Sequence, residues 1–166
     1  MEIQEIMSKP AVTCRPNDNL NAVAKTMWEN DCGAIPIVNE DGGIAGMVTD
    51  RDICMAAYTQ GTTLDAIPVS TAMATQVFSC HAADSLDAAQ RLMSDKQIRR
   101  VPVLDDNNRV VGVLSLNDIA RYAASARKKN GLDREVTQTL AAICRPRAHT
   151  ATGSGQTATQ HRPTAF

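Results

Sequence analysis

The sequence predicts an α+β protein that contains two pseudo-twofold related β-α-β-β-α repeats and an additional C-terminal helix. The first observation is a constant spacing between similar residues, since Met73 follows Met7, and Cys80 follows Cys14, at an interval of 66 positions. The second is that helical and strand periodicities alternate in the same order in both copies. The third is a helical pattern beyond the second copy. Units repeated in this way usually bury their apolar faces against each other.

Composition limits the functions that the chain can have. It has 166 residues, of which 43% are hydrophobic, and a formal charge of −1. This balance offers no general surface for nucleic acid or an anionic membrane, and an aromatic content of 3% argues against base-stacking platforms. The five cysteines are odd in number without a CxxC pair, and the N-terminus has no signal-peptide pattern. We expect reduced cysteines, no membrane segment and a cytoplasmic protein.

The repeat keeps its register over both copies. Similar residues meet at the common spacing in eight further pairs: Asp18 with Asp84, Leu20 with Leu86, Met27 with Met93, Pro36 with Pro102, Gly46 with Gly112, Thr49 with Ser115, Asp52 with Asp118, and Ile53 with Ile119. We therefore predict a first repeat at 7–60, a linker at 61–72 and a second repeat at 73–127.

The first repeat is predicted to place a short strand at 11–13 before its first helix. Apolar residues recur at helical spacing from Leu20 to Trp28, and Asp18 is positioned to cap this helix. One face of the helix should therefore cover the core.

Two strands and a second helix follow in the first repeat. Apolar runs at 34–38 and 44–48 flank a turn-like segment rich in Asn, Asp and Gly, which indicates a strand pair. The pattern becomes helical from Thr49 to about Tyr58, and Gly61 supplies a stop signal.

The second repeat has the same order of elements. We predict a strand at 77–79, a helix at 86–95, strands at 101–104 and 109–114, and a helix at 116–127. Apolar residues again recur at helical spacing after Gly131, which predicts the extra helix at 132–144. Residues 145–166 are rich in Thr, Ala and Gly, and we expect a disordered tail there.

Each repeat carries the pattern Gly-x-x-Thr/Ser-x-x-Asp at a strand-to-helix junction. Thr49 with Asp52, and Ser115 with Asp118, place a hydroxyl and a carboxylate three residues apart. This arrangement suits a ribose phosphate, because the hydroxyl and the first-turn N–H groups can hold phosphate while the carboxylate accepts from a cis-diol. The same spacing is also a capping box, which satisfies helix donors without a ligand. Spacing alone leaves both interpretations open.

Residues 7–124 resemble a tandem pair of cystathionine-β-synthase-type (CBS) domains. The resemblance rests on the repeated motif, on the apolar-Pro-apolar strands and on two similar openings, Ile6-Met7-Ser8 and Ala72-Met73-Ala74. It implies a pseudo-twofold module with two clefts that bind an adenosine-containing ligand such as AMP, ADP, ATP, NAD or S-adenosylmethionine. It also implies a homodimer.

The resemblance assigns roles to individual residues. It gives ribose binding to Asp52 and Asp118 and phosphate binding to Thr49 and Ser115. Further cleft residues are expected beside the first strand and at the start of the apolar-Pro-apolar strand of each repeat: Thr13, Arg15, Ile35, Ser79, His81, Arg100 and Val101.

The two clefts are predicted to differ in chemistry. Arg51 lies in the first motif, where a guanidinium could bind a phosphate, and its counterpart in the second motif is Asn117. We therefore expect the cleft of the first motif to prefer the more highly phosphorylated ligand.

The function predicted from these features is regulatory, and no catalytic group is assigned. Neither Cys14 nor Cys80 has a base and an orienting group nearby in sequence, and the histidines lack metal-ligand spacing. We predict a stand-alone module that binds an adenine nucleotide and transmits its occupancy to a regulated protein, with no obligatory cofactor. The alternative is a structural dimerisation module whose motif residues act only as helix caps.

Overall fold

Each repeat places an antiparallel strand pair between two helices. The computed structural model describes residues 1–125 and 132–145, so residues 146–166 of the predicted tail lie outside it. The elements are α1 (Leu20–Glu29), β1 (Ala34–Val38), β2 (Ile44–Thr49), α2 (Asp50–Gln60), β3 (Cys80–His81), α3 (Leu86–Lys96), β4 (Arg100–Leu104), β5 (Val110–Ser115), α4 (Leu116–Ser125) and α5 (Leu132–Ile143). The predicted α+β repeat fold is confirmed.

The strand pairs of the two repeats have equivalent registers. Ala34 lies opposite Thr49 in the β1–β2 pair, and Arg100 lies opposite Ser115 in the β4–β5 pair. Directly opposed residues on antiparallel strands are neighbours on one face of the sheet. The motif hydroxyl is therefore beside a methyl group in the first repeat and beside an arginine in the second.

The first strand of each repeat is shorter than predicted and begins later. The strand predicted at 77–79 is instead β3, which runs parallel to β4. The one predicted at 11–13 is reduced to a single bridge between Cys14 and Ile37. The apolar residues of the two predicted segments leave the sheet because, as described below, they line clefts between the repeats.

The cap of α1 is Asn19, one residue later than predicted. Its side chain accepts a first-turn N–H at 2.9 Å. Asp18 accepts instead from the N–H of Arg15 at 2.7 Å, and Asp84 accepts from the N–H of His81 at 2.8 Å. The repeated aspartate thus closes the turn that precedes the helix.

The opening segment of each repeat pairs with a strand of the other repeat. Two backbone hydrogen bonds join Ser8 to Val113 of β5, and two more join Ala74 to Met47 of β2, at 2.9–3.0 Å. The repeats are consecutive in the chain and interlocked in space.

The glycine of each motif makes this crossing sterically feasible. A Cβ atom at Gly112 would lie 2.6 Å from the sulfur of Met7, and one at Gly46 would lie 2.6 Å from the sulfur of Met73. Any larger residue would displace the opposing methionine. In each repeat, the glycine therefore leaves the space that the methionine of the other repeat occupies.

The apolar side chains form two cores, one in each repeat. Helix α5 packs on α3 and α4, and its residues Val136 and Ile143 contact the second core. The predicted extra helix thus covers the helical face of the second repeat. The corresponding helices of the first repeat leave Trp28 and Tyr58 exposed. Within 1–125 and 132–145, no helix has the length and apolar character needed to span a bilayer.

Candidate functional site

Both motifs form the predicted capping box. The N–H of Asp52 donates to the Thr49 hydroxyl at 3.3 Å, and one carboxylate oxygen of Asp52 accepts from the Thr49 N–H at 2.8 Å and from its hydroxyl at 2.7 Å. The same three bonds between Ser115 and Asp118 measure 3.2, 2.8 and 2.5 Å. The capping role is therefore real, and it uses one oxygen, Oδ2, of each carboxylate.

The other carboxylate oxygen distinguishes the two motifs. Oδ1 of Asp118 accepts from the Ser8 hydroxyl at 3.2 Å and from the guanidinium of Arg121. Asp118 therefore has about the four donors that an ionised carboxylate can accommodate. Both donors to Oδ2 of Asp52 come from Thr49, and no second copy of the Ser8 contact is made to Asp52 by Ala74, which has no hydroxyl.

The motif of the second repeat lies in a cavity of about 320 Å³, which we call the second-motif cleft. Its walls include Ser115, Asn117 and Asp118 from the motif and Arg121 from the next turn of α4. The opposite wall comes from the other copy, where it is formed by the opening segment and the start of β1. Small-molecule sites usually occupy about 300–1,000 Å³, so this cleft has the necessary size.

The motif of the first repeat lies in a cavity of only about 20 Å³, the first-motif cleft. It contains Thr49 and Asp52 and is closed by Phe78, Ile98 and Arg100. This volume holds little more than one water molecule. The equivalent motif therefore faces a cleft that protein side chains already fill.

The difference in volume follows from substitutions at equivalent positions. Counting back by the repeat spacing, each residue that closes the first-motif cleft corresponds to a smaller residue on the wall of the second: Phe78 to Val12, Ile98 to Cys32, and Arg100 to Ala34. Equivalent positions thus form both clefts, with the smaller side chains around the second motif.

Arg100 contributes to the walls of both clefts. Its Nη1 atom is buried, and no described residue accepts a hydrogen bond from it. Burial, followed by the neighbouring positive charge of Arg99, lowers the pKa of Arg100, while the carboxylate of Asp50 opposes that change. Gly33 gives the two side chains room, since a Cβ there would lie 2.8 Å from an Asp50 oxygen and 3.3 Å from Nη2 of Arg100.

A third cavity, of about 450 Å³, lies against α1 and α2 of the first repeat. It combines apolar groups of Met27, Trp28 and Ile53 with the carboxylates of Asp31 and Asp50. Its lining includes no motif hydroxyl and neither Asp52 nor Asp118, and Trp28 beside it is 88% exposed.

Five of the twelve predicted site residues line the two motif clefts: Thr49, Asp52, Arg100, Ser115 and Asp118. Thr13, Arg15, Ser79 and His81 are not part of those linings, and the Arg15 guanidinium donates to the Asn39 carbonyl instead. The clefts are lined instead by residues that come slightly earlier in each repeat, such as Val12 and Phe78.

Three further predicted residues also lie away from the clefts. Ile35 and Val101 are completely buried in the two cores, where the apolar-Pro-apolar strands pack on the helices. Arg51 is exposed and does not line either motif cleft. The preference of the first cleft for a more highly phosphorylated ligand stays a prediction, and Arg100 is a basic residue in the walls of both clefts.

Sequence analysis missed Ser8, Phe78 and Arg121. Both Ser8 and Arg121 donate hydrogen bonds to Asp118. Ser8 lies 110 residues before Asp118 in the sequence, and Arg121 lies three residues after it. Phe78 was assigned to a strand because its neighbours are apolar. Comparing Phe78 with Val12, which lies 66 positions earlier, could have identified it, because the two equivalent residues differ greatly in size.

Two features describe the cysteines and acidic groups in the described part of the chain: the state of the repeated thiols and the spacing of potential metal ligands. Burial, as the leading cause, raises the pKa of Cys80 to about 11 and also raises that of Cys14, so neither thiol is activated. Over 1–125 and 132–145, no three His, Cys, Asp or Glu residues are grouped closely enough to hold a metal ion.

The interlocked repeats and their paired clefts match a known family along most of the chain. The model of the CBS domain matches residues 3–58 and 69–125. This chain belongs to the CBS domain family. Its two matched segments include both openings and both motifs.

Individual CBS proteins are similar over most of their length. The CBS domain-containing protein YhcV of Bacillus subtilis is 39% identical over 118 residues, covering 71% of this chain and 82% of YhcV. Hypoxic response protein 1 of Mycobacterium tuberculosis is 30% identical over 145 residues, covering 87% of this chain and 95% of that protein.

A solved structure matches both the sequence and the fold. The CBS domain pair of protein MJ0100, crystallised with 5′-methylthioadenosine and S-adenosyl-L-methionine, is 30% identical and has a TM-score of 0.69. The match covers 77% of this chain and 98% of that one. A relative of the same fold thus binds adenosine-containing ligands.

Proposed function

We propose that this CBS pair is a cytoplasmic regulatory module that binds an adenosine-containing ligand and transmits its occupancy to a partner protein. The observation that carries the proposal is the second-motif cleft, which has sufficient volume and brings Ser115, Asp118 and Arg100 together. The ligands of the similar CBS pair of MJ0100 support an adenosine compound.

Asp118 is the proposed ribose contact. Its Oδ1 atom already accepts two hydrogen bonds, so ribose hydroxyls would replace the donors Ser8 and Arg121. The exchange is inexpensive for Arg121, whose side chain is 74% exposed, because solvent screens an exposed ion pair and hydrates the released guanidinium. The present donors therefore hold the carboxylate in an orientation that a diol can use.

A negatively charged group of the ligand would complete the other end of the cleft. Ser115 precedes α4, where the helix dipole favours an anion, and its hydroxyl would turn from Asp118 to donate to that anion. Arg100 lies opposite Ser115 and has a buried Nη1 atom without an acceptor in the described structure. A buried cation is costly until it is paired, so a phosphate or carboxylate would stabilise it.

The interlocked openings explain how occupancy could be transmitted. The second-motif cleft is lined by the opening segment and β1 of one copy and by the motif of the other. A ligand that contacts both walls favours whichever arrangement of the repeats fits it, and a partner can bind that arrangement selectively. We propose a homodimer that presents it, with the exposed Trp28 and Tyr58 on the face available for association.

Calorimetry with AMP, ADP, ATP, NAD, S-adenosylmethionine and 5′-methylthioadenosine tests the proposal. At least one of them should bind, and Asp118→Ala should weaken it by about 1.5–3 kcal/mol through the loss of charge-assisted hydrogen bonds. Asp106→Ala, in an exposed turn, is the matched control and should bind normally. If none binds to folded protein, the structural dimerisation module becomes the better account, since both capping boxes are complete without a ligand.

A further inference from the structure

We propose that each chain holds one adenosine ligand, in the second-motif cleft, and that Phe78 and Arg100 close the first-motif cleft to a second one. This inference rests on the proposed function and adds its stoichiometry and location. The motif of the first repeat then acts as a helix cap, and side chains of the protein occupy the volume beside it.

Volume is the first argument. The first-motif cleft measures about 20 Å³ and the second-motif cleft about 320 Å³, although their motifs have the same geometry. Only the second lies within the range of about 300–1,000 Å³ found for small-molecule sites. An adenosine could enter the first cleft only if Phe78 or Arg100 moved away.

The second argument is that Phe78 is held in place. Its ring packs against the core of the second repeat, and the ammonium of Lys96 lies 4.8 Å from the ring centroid. Moving the ring would expose apolar surface and break this cation–π contact. Val12, at the equivalent position of the other cleft, is too short to cross it.

The state of Asp52 agrees with a closed cleft. Burial is the leading cause that raises the pKa of Asp52, so its charged form is less favourable there than in water. It accepts hydrogen bonds from the N–H and the hydroxyl of Thr49, and these complete the cap of α2. Asp52 therefore has a structural task that accounts for the motif without a ligand.

The test is to give the first-motif cleft the small walls of the second. The double variant Phe78→Val/Ile98→Cys copies Val12 and Cys32 into the equivalent positions and leaves Arg100, which lines both clefts, in place. Equilibrium dialysis with AMP, and separately with S-adenosylmethionine, should count one ligand per parent chain and two per variant chain at saturating concentrations. Arg99→Ala, on the exposed surface between Ile98 and Arg100, is the control and should leave the count at one.

The outcomes separate this inference from the proposed function. A parent chain that binds two ligands, or a folded double variant that still binds one, overturns the inference and leaves the proposed function standing. A parent that binds neither probe nor the other adenosine compounds overturns both. If circular dichroism shows that the double variant is unfolded, Phe78→Val alone must show a weaker second site, and its absence overturns the inference.

Discussion

The two clefts of this molecule are built from equivalent positions, with the same motif, the same strand register and the same crossing of an opening segment. They differ in the size of three wall residues and consequently in volume, about 20 Å³ against about 320 Å³. A motif can therefore persist in both repeats because it caps a helix, while the walls alone decide whether a ligand fits. In this chain, we propose that the motif provides the polar groups of a ligand site and that the size of the wall residues determines whether a ligand can bind there.

The carboxylates show a second difference between the clefts. Asp118 in the open cleft accepts hydrogen bonds from Ser8, Ser115 and Arg121, whereas Oδ2 of Asp52 accepts from the N–H and the hydroxyl of Thr49. The open cleft thus has the better-oriented carboxylate, held partly by an exchangeable arginine. This explains why a ligand could enter there without reorganising the motif.

The largest expected effect comes from closing the open cleft in the way that the other one is closed. Ala34→Arg copies Arg100 into the second-motif cleft, where the new side chain would occupy the ligand's volume. We expect affinity for the adenosine ligand to fall by about 100-fold, or about 2.7 kcal/mol. Calorimetry checks this, with Ala88→Arg on the exposed surface of α3 as the control. Unchanged affinity in a folded Ala34→Arg protein would place the ligand elsewhere.

Removing the two carboxylates should affect stability unequally. Asp118→Ala loses the cap together with the bonds from Ser8 and Arg121, and we expect it to cost about 2–3 kcal/mol of unfolding free energy. Asp52→Ala loses only the contacts with Thr49 and should cost about 1 kcal/mol. Urea denaturation of both variants measures the difference. Equal losses would show that the extra donors of Asp118 contribute nothing.

The pH dependence of the free energy of unfolding should show that burial disfavours the charged form of Asp52. Its folded-state pKa is raised above the ordinary value of 3.8, so the folded protein binds this proton more tightly than the unfolded chain does. Its contribution to stability is present below pH 3.8 and is lost as the pH rises through the folded-state pKa. Asp52→Asn should therefore gain stability relative to the parent as the pH is raised from about 4 to 7.

Urea denaturation at several pH values follows that gain, and Asp106→Asn provides the matched control in an exposed turn. We expect a smaller change than the loss caused by Asp118→Ala. A relative stability that stays constant, or that falls with rising pH, would contradict the assignment of a closed, desolvating cleft to Asp52.

The smallest effect is a difference in thiol protection. Cys32 lines the second-motif cleft, whereas its counterpart Ile98 closes the first. Burial chiefly raises the pKa of Cys32, so its alkylation should be slow near pH 7 and faster as the pH rises. A bound adenosine ligand should slow it further. Mass spectrometry can compare it with the exposed Cys54 and Cys144, whose rates should not respond; a ligand that protects all three equally would indicate a global effect.

The repeat register predicted much of the fold because it depends on local patterns that occur twice. Both strand pairs, the helices on either side of them and the extra helix follow from periodicity and turn residues. The motif residues were also located correctly at their junctions. Their contacts within the motif are short in sequence, which is why spacing alone could predict the capping box.

The clefts were less predictable because their walls come from distant parts of the chain. Nothing local to Met7 indicates that it packs on Gly112, or that Ser8 reaches Asp118. The segments at 11–13 and 77–79 have strand-like composition, yet tertiary packing uses them as walls. The contrast between Phe78 and Val12 was present in the sequence, but its meaning depended on knowing that both side chains face a cleft.

The most direct test of the account is the crystal structure of the protein soaked with 8-bromoadenosine 5′-monophosphate, whose bromine can be located by anomalous scattering. We predict one bromine site per chain, in the second-motif cleft, with the ribose beside Asp118 and the phosphate within reach of Ser115 and Arg100. A bromine site beside Asp52, or one in each cleft of the same chain, would contradict the claim that the walls leave only one of the two motifs open to a ligand.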